Sequence, residues 1–212
     1  MQDIKNIIFD LGGVIINLNQ NKTIEAFNHL SYMPFEELYK SGHSLELFND
    51  FDKGHISSDF FFSELRKHLR YEGPDDALLE AWNAMLLDVP EKRLDMLVAL
   101  KPHYKTFLLS NTCEPHISAF EHNLYIRHGV RNFNDYFDKV YYSCRMGMRK
   151  PDLEIFEQVL HENELNPNET IFIDDSVEHV KAAGMAGINA HVLPPKTDIT
   201  DFIKELHLRL KP

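Results

Sequence analysis

Four short segments of this 212-residue chain carry reactive side chains at like positions, each just after an apolar, β-rich run. The first, Phe9-Asp10-Leu11-Gly12-Gly13-Val14, places a carboxylate before two glycines that let the backbone approach a ligand closely. The second, Leu108-Leu109-Ser110-Asn111-Thr112, offers two hydroxyls and free amides. The third, Gly147-Met148-Arg149-Lys150-Pro151-Asp152, puts Lys150 before a proline that can open a helix, where its missing N–H has no partner in any case. The fourth, Ile171-Phe172-Ile173-Asp174-Asp175-Ser176, ends on two adjacent carboxylates. Taken singly, each has a plain structural reading: Asp10 caps a turn, Ser110 to Thr112 and Asp174-Asp175 cap helices, and Lys150 is a solvated cation. Together they resist that reading, because a buried strand ending in an uncompensated Asp costs stability unless a cation or donors stand nearby. Three converging carboxylates with one lysine point to a hard divalent cation with oxygen ligands, and Mg²⁺ suits such a site beside a phosphate.

The elements that must bring these groups together are legible in the same chain. Runs at Ile4 to Asp10, Thr106 to Ser110, Lys139 to Ser143, Thr170 to Asp174 and Ile188 to Leu193 alternate with helical stretches. This alternation predicts an α/β fold, a Rossmann-like parallel sheet with helices on both faces. Ligands of such sheets bind outside the carboxyl ends of the strands, so the four segments would meet at that edge. About ninety residues separate the first two strands, far more than a crossover helix needs. The interval reads as helices at Thr23 to Leu30, Phe35 to Lys40, Ser57 to Leu69 and Pro74 to Leu87, with Ser57 and Ser58 as N-cap candidates. Phe60, Phe61 and Phe62 with Trp82 are expected to form a small core of their own. The expected organisation is an α/β core of residues 1–18 and 90–212 with a four-helix cap, residues 19–89, inserted after the first strand. Its hinges would lie at Asn17 to Gln20 and Val89 to Glu91.

In this order the four segments resemble the signature of the haloacid dehalogenase (HAD) superfamily of phosphatases, and the helical insert resembles its four-helix type of cap. The likeness covers most of the chain. The Asp-Leu-Gly-Gly-Val opening and the Gly-Met-Arg-Lys-Pro segment are further similar to the subgroup containing bacterial α-D-glucose-1-phosphate phosphatase. The resemblance implies an Mg²⁺-dependent phosphatase that hydrolyses a small phosphomonoester, such as a sugar phosphate, through an aspartyl-phosphate. It makes Asp10 the nucleophile and, with the Gly12 carbonyl, Asp174 and Asp175, a metal ligand. Ser110 and the amide of Asn111 would bind the phosphoryl oxygens, and Lys150 would bridge the nucleophile and the phosphate. A carboxylate approaching a phosphate dianion meets a repulsion of roughly 4 kcal/mol at 4 Å and an effective dielectric of 20. Mg²⁺ and Lys150 would offset it.

One position departs from the family pattern. Most HAD phosphatases carry a second Asp two residues after the nucleophile, whose side chain is the general acid/base; here that residue is Gly12. Its carbonyl remains for the metal, but the proton donor is lost. General acid catalysis contributes about 10²–10⁴-fold, so the chain is expected to favour less basic leaving groups, as in an anomeric sugar phosphate or an acyl phosphate. Asn17, His43 and His55 are candidate replacement donors from the linker or cap, although a surface position is the plainer reading for each His. Cys113 and Cys144 read as structural. Two other functions compete: attack on carbon by a haloacid dehalogenase-type hydrolase, which needs no metal and leaves Asp174-Asp175 unexplained, and a non-catalytic phosphate-binding relative.

Composition narrows the partners. With 22 basic and 33 acidic side chains the formal charge is −11, which argues against nucleic acid, whose binding rests on phosphate neutralisation. The 43% apolar content fits a globular chain. The run Ile7 to Ile16 is broken by Asp10 and follows no cationic leader, and two cysteines cannot build a disulfide framework, so a reducing cytoplasm is expected. Apolar runs are too short for a membrane span. The expected partner is a small phosphorylated metabolite.

Overall fold

In the computed structural model, residues 4–31, 35 and 42–208 are described, 42–45 by their backbone alone. Five parallel strands form one sheet in the order β3-β2-β1-β4-β5: β1 (Asn6–Phe9), β2 (Lys105–Ser110), β3 (Lys139–Tyr142), β4 (Thr170–Asp174) and β5 (Asn189–Val192). The chain builds outward from β1 to β3, then crosses to the other side of β1 for β4. In register, Phe9 lies opposite Leu108 on one side and Ile173 on the other. The three strand ends that carry Asp10, Ser110 and Asp174 are therefore neighbours at the point where strand order reverses, the position at which such sheets form a crevice.

Strand side chains alternate between faces. On one face Ile7, Phe9, Leu108, Ile171 and Ile173 pack against α5 (Glu91–Leu100), α6 (Glu114–His128) and α10 (Ile199–Glu205). On the other, Ile8, Phe107, Leu109 and Phe172 meet α8 (Leu153–Glu162) and α9 (Val177–Met185). A one-turn helix, α7 (Ser143–Met146), follows β3 directly. The sheet is thus covered on both faces, as the apolar runs imply.

Between β1 and β2 lie α1 (Gln20–Leu30), α2 (Gly42–Asp52), α3 (Ser58–Leu69) and α4 (Asp75–Asn83). Ser57 caps α3 by accepting from the Phe60 amide, and Phe61, Leu65 and Leu69 are buried. Around them gather Phe27, Phe48, Phe51 and Trp82 in an apolar cluster separate from the two sheet faces. Phe60 does not join it: at 100° per residue three consecutive phenylalanines cannot share a face, and Phe60 is 50% exposed. Two boundaries and one helix also differ from the sequence reading. Asn19 caps α1 three residues early, α4 stops at Asn83, and α2 was not anticipated. Beyond Phe35, the helix expected at Phe35 to Lys40 lies outside the described residues. Past Asn83 the chain turns to pair with the segment entering α1: Leu87 N–H donates to Asn17 O, Asn17 N–H to Asp88 O, and Asn19 N–H to Met85 O. The expected hinge at Asn17 to Gln20 is thus hydrogen-bonded to the segment just before Val89.

A charged tie behind the β1 loop supports the site. Asp198 caps α10 through the Thr200 amide and hydroxyl, and also accepts from Arg93 (3.1 Å) and Lys92 (3.0 Å). Arg93, buried, donates onward to the Ile15 carbonyl at 3.1 Å. Burial works against the Asp198 carboxylate, but Thr200, Lys92 and Arg93 outweigh it and hold its pKa well below the usual range. A depressed folded pKa gives stability that is present above the unfolded value, near pH 4, and lost as pH falls. Asp198→Asn is therefore expected to cost about 1–3 kcal/mol at pH 7, with the gap to wild type closing below pH 4 in urea melts.

Candidate active site

Asp10 follows β1, and its amide donates to Ile173 O at 2.9 Å, so it is held to β4 in the manner of a strand residue. Gly13 then turns the chain with φ +74, a left-handed conformation that glycine adopts without cost. A Cβ on Gly13 would stand 2.4 Å from Asp175 Oδ2. Gly13→Ala is accordingly expected to lose about 1–2 kcal/mol of stability from backbone strain and most of the divalent-cation affinity, since Asp175 must swing away. Thermal unfolding and calorimetric titration with Mg²⁺ would measure the two losses.

Lys150 sits beneath the acids and is fully buried. Its Nζ donates to Asp10 Oδ1 and Asp174 Oδ2, both at 2.6 Å, and to Leu109 O at 2.9 Å, which commits all three ammonium protons. The ammonium also lies 5.3 Å from the centre of the Phe172 ring. Pro151 does not open a helix; Asp152 is the cap and α8 begins at Leu153. Instead the Asn111 side chain fixes the lysine, accepting from Lys150 N–H and donating to Lys150 O, both at 2.8 Å. The Ser143 hydroxyl ties the adjacent turn, accepting from Thr112 N–H and donating to Thr112 O. Lys150 Nζ thus bridges two carboxylates, Asp10 among them, and the Asn111 side chain is spent on the lysine loop. The Ser110 hydroxyl makes only a 3.5 Å contact, to Asn111 O.

Asp10, Asp174 and Asp175 each offer an oxygen within 4.8 Å of the others. At that separation and an effective dielectric of 20, each pair repels by roughly 3–4 kcal/mol, so one lysine leaves the cluster short of positive charge. An all-oxygen set of three carboxylates fits a hard divalent cation. The acids are not equivalent. Asp174 Oδ1 accepts from Ser176 N–H at 2.7 Å, Oδ2 from Lys150, and His179 Nδ1 lies 3.0 Å away; Asp175 is exposed. Burial acts upward on Asp174, but Lys150 and His179 hold its pKa down to about 2. On Asp10 burial prevails over Lys150 and pushes the pKa to about 7. Burial likewise raises Asp175, and the two carboxylates keep Lys150 charged against its own burial.

Asp10, Gly12, Ser110, Asn111 and Asp175 open on a cavity of about 300 Å³. Its far wall comes from the helices between β1 and β2, including Phe35, Phe48 and Trp82. His116, His179 and Asp52 also line it, and none of these stood out in the sequence. His179 lies in the first turn of α9, where its amide donates to the Ser176 cap and its ring lies against Asp174. The His116 ring stacks on Trp82 (5.1 Å, 9°), and its Nε2 lies 3.2 Å from Trp82 O; because a carbonyl only accepts, Nε2 carries the proton. Burial holds its pKa to about 4, so the ring is neutral at pH 7. Of the groups expected to replace the missing acid, Asn17 donates to Asp88 Oδ1 at 3.1 Å, His55 stands half exposed beside Asp50, and the His43 side chain lies outside the described residues. Cys113 is buried under the Trp82 indole N–H, and burial pushes both its thiol and that of Cys144 up to about 12, in keeping with structural roles.

A buried lysine pinning two strand-end acids beside a third, at the switch point of a doubly covered parallel sheet, defines a class of hydrolase. The chain belongs to the haloacid dehalogenase-like hydrolase family, whose model matches residues 7–193. It is 30% identical over 177 residues to the D-ribitol-5-phosphate phosphatase of Bacteroides thetaiotaomicron, covering 84% of this chain and 85% of that one. A sesquiterpene phosphatase of Aspergillus oryzae is 28% identical over 192 residues, 87% of this chain and 89% of that one. Among solved structures, a HAD family enzyme from B. thetaiotaomicron, an aspartate-to-alanine mutant in complex with magnesium and inorganic phosphate, superposes with a TM-score of 0.87 at 34% identity, over 94% of this chain and 98% of that one. The likeness to the L-2-haloacid dehalogenase of Xanthobacter autotrophicus, at 16% identity and a TM-score of 0.60, shows the fold alone. No helix among the described residues is long and apolar enough to cross a membrane.

Proposed function

We propose that this hydrolase is an Mg²⁺-dependent phosphatase that cleaves a small phosphomonoester through a phosphoaspartate on Asp10. The observation that carries the reading is the bond from buried Lys150 to Asp10, which fixes one carboxylate oxygen and leaves the rest of the group at the cavity floor beside Asp175. Asp10, Asp175 and the Gly12 carbonyl would hold the metal, with Asp174 joining directly or through water. When bound, the cation supplies positive charge that offsets repulsion between acids and phosphate. Lys150 favours the ionised form of Asp10 and keeps it aimed as its carboxylate oxygen attacks phosphorus. The Ser110 hydroxyl and the Asn111 backbone amide donate to the phosphoryl oxygens, and water then hydrolyses the phosphoaspartate. Residues 19–89 act as a cap on a core of 1–18 and 90–212, excluding water during transfer. Asp10 and the two acids beside it would repel a haloacid carboxylate, which disfavours the dehalogenase reading.

The phosphatase relatives direct the choice of substrates. Phosphate release should be followed from 4-nitrophenyl phosphate, sugar 1-phosphates, acyl phosphates and polyol phosphates such as ribitol 5-phosphate. Release that requires Mg²⁺ and stops with a chelator is expected; undiminished activity after complete chelation, or no release from any ester, would contradict the proposal.

A further inference from the structure

On the phosphatase reading, the leaving group lies in the cavity above Asp10 and needs a proton that Gly12 cannot give. A Cβ at Gly12 would come within 2.5 Å of Leu18 Cδ1, so Leu18 holds the place where a longer side chain would start. Among the described residues, the titratable side chains lining the cavity besides Asp10 and Asp175 are Asp52, His116 and His179. His179 is turned onto Asp174, and His116 gives its Nε2 proton to Trp82 O, leaving an acceptor as its other nitrogen. We propose that Asp52, reaching the cavity from the last residue of α2, is the proton donor to the leaving oxygen.

The side chain is positioned rather than free. Arg149 Nη2 lies 3.3 Å from Asp52 Oδ2, and Arg149 is itself held by Asn49, one turn back on α2. Next to Asp52, Lys53 pairs with Asp152 at 2.9 Å, so the end of α2 is pinned to the loop that carries Lys150. Facing the carboxyl are Arg149, which favours its charged form, and the thiols of Cys113 and Cys144. The negative end of the α2 dipole disfavours a negative charge there. Burial outweighs Arg149 and raises the pKa to about 6, where an acid works near neutrality. As the bond from phosphorus to the leaving oxygen breaks and the bond to Asp10 forms, the Asp52 carboxyl passes its proton to that oxygen, which departs as an alcohol. The Asp52 carboxylate then takes a proton from the water that attacks the phosphoaspartate, releasing phosphate and restoring both side chains.

The test compares kcat/KM of wild type and Asp52→Asn on 4-nitrophenyl phosphate, whose leaving group needs no proton, and on the best alkyl ester from the panel above. The alkyl ester is expected to lose about 10²-fold or more and the nitrophenyl ester far less. The decline of wild-type alkyl kcat/KM above pH about 6 should flatten in the variant. Equal losses on both esters, as from an ion pair that only holds α2 down, overturn the assignment, as does no loss on either. If the variant does not fold, wild type alone decides: protonated departure gives a shallow dependence of kcat/KM on leaving-group basicity across a series of esters, and a steep one overturns the proposal. Turnover of the nitrophenyl ester with no alkyl ester accepted overturns it too. Absence of release by wild type from any ester removes the phosphatase reading itself.

Discussion

Asp10→Asn is expected to abolish phosphate release, by about 10⁴-fold or more, while leaving the protein at least as stable as before. The amide has the shape of the carboxylate and can still accept from Lys150, but it cannot attack phosphorus. Stability should move the other way from activity. The folded pKa of Asp10 is raised from 3.8 to about 7, so the folded state binds this proton more tightly than the unfolded chain. Ionising Asp10 therefore costs stability as pH rises between those values. Without added metal the variant is expected to be more stable than wild type by on the order of 1–3 kcal/mol at pH 8, and equal to it near pH 4. Urea melts at the two pH values, beside an assay for released phosphate, separate lost chemistry from lost fold. A variant that retains turnover, or that is inactive because it unfolds, would contradict the role given to Asp10.

Lys150→Met should have the largest effect on stability. The methionine fills similar volume, but Asp10 and Asp174 lose the ammonium that each holds at 2.6 Å, and Leu109 O loses its partner. Breaking a buried pair by removing one member typically costs about 3–5 kcal/mol, because the other charge stays buried. Here two carboxylates are left, so the lower end is the least expected at neutral pH. The sign of the pH effect follows. Lys150 has a raised pKa, so its contribution is complete through the neutral range and is lost only in strong base. In the variant, protonation of Asp10 relieves the repulsion, so the deficit should be greatest at pH 7 to 8 and shrink toward pH 4. Lys150→Arg is no conservative rescue, since a planar fork does not fit a fully buried site built around three converging acceptors.

The sheet and its reactive edge were legible because both are written locally. β-Branched and aromatic runs of four to six residues mark the strands, and a polar residue at the end of such a run marks the edge; each strand lies within about two residues of its run. Four features were not legible. Helix α2 begins at Gly42, which reads as a break, and its apolar face shows only once Phe48 and Phe51 pack on Phe61. Lys150 looked like a group that would face a phosphate, yet its depth depends on Asn111 clasping its backbone from another strand. The cavity residues Asp52, His116 and His179 lie 42, 106 and 169 positions from Asp10 in the chain and are brought together only by tertiary packing. Gly12 carried a signal of absence alone: the sequence told which group was missing, and the structure adds that a Cβ there would have to displace Leu18 Cδ1.

The covalent intermediate is the point on which the account turns. Wild-type enzyme turning over a phosphorus-labelled ester in Mg²⁺ should be quenched in acid within a single turnover, digested and mapped by mass spectrometry. Label on the peptide that contains Asp10, absent when Asp10→Asn is treated alike, is the expected result. Label on another residue, such as Ser110 or His116, or burst release of product with no label on the protein at any quench time, would contradict it.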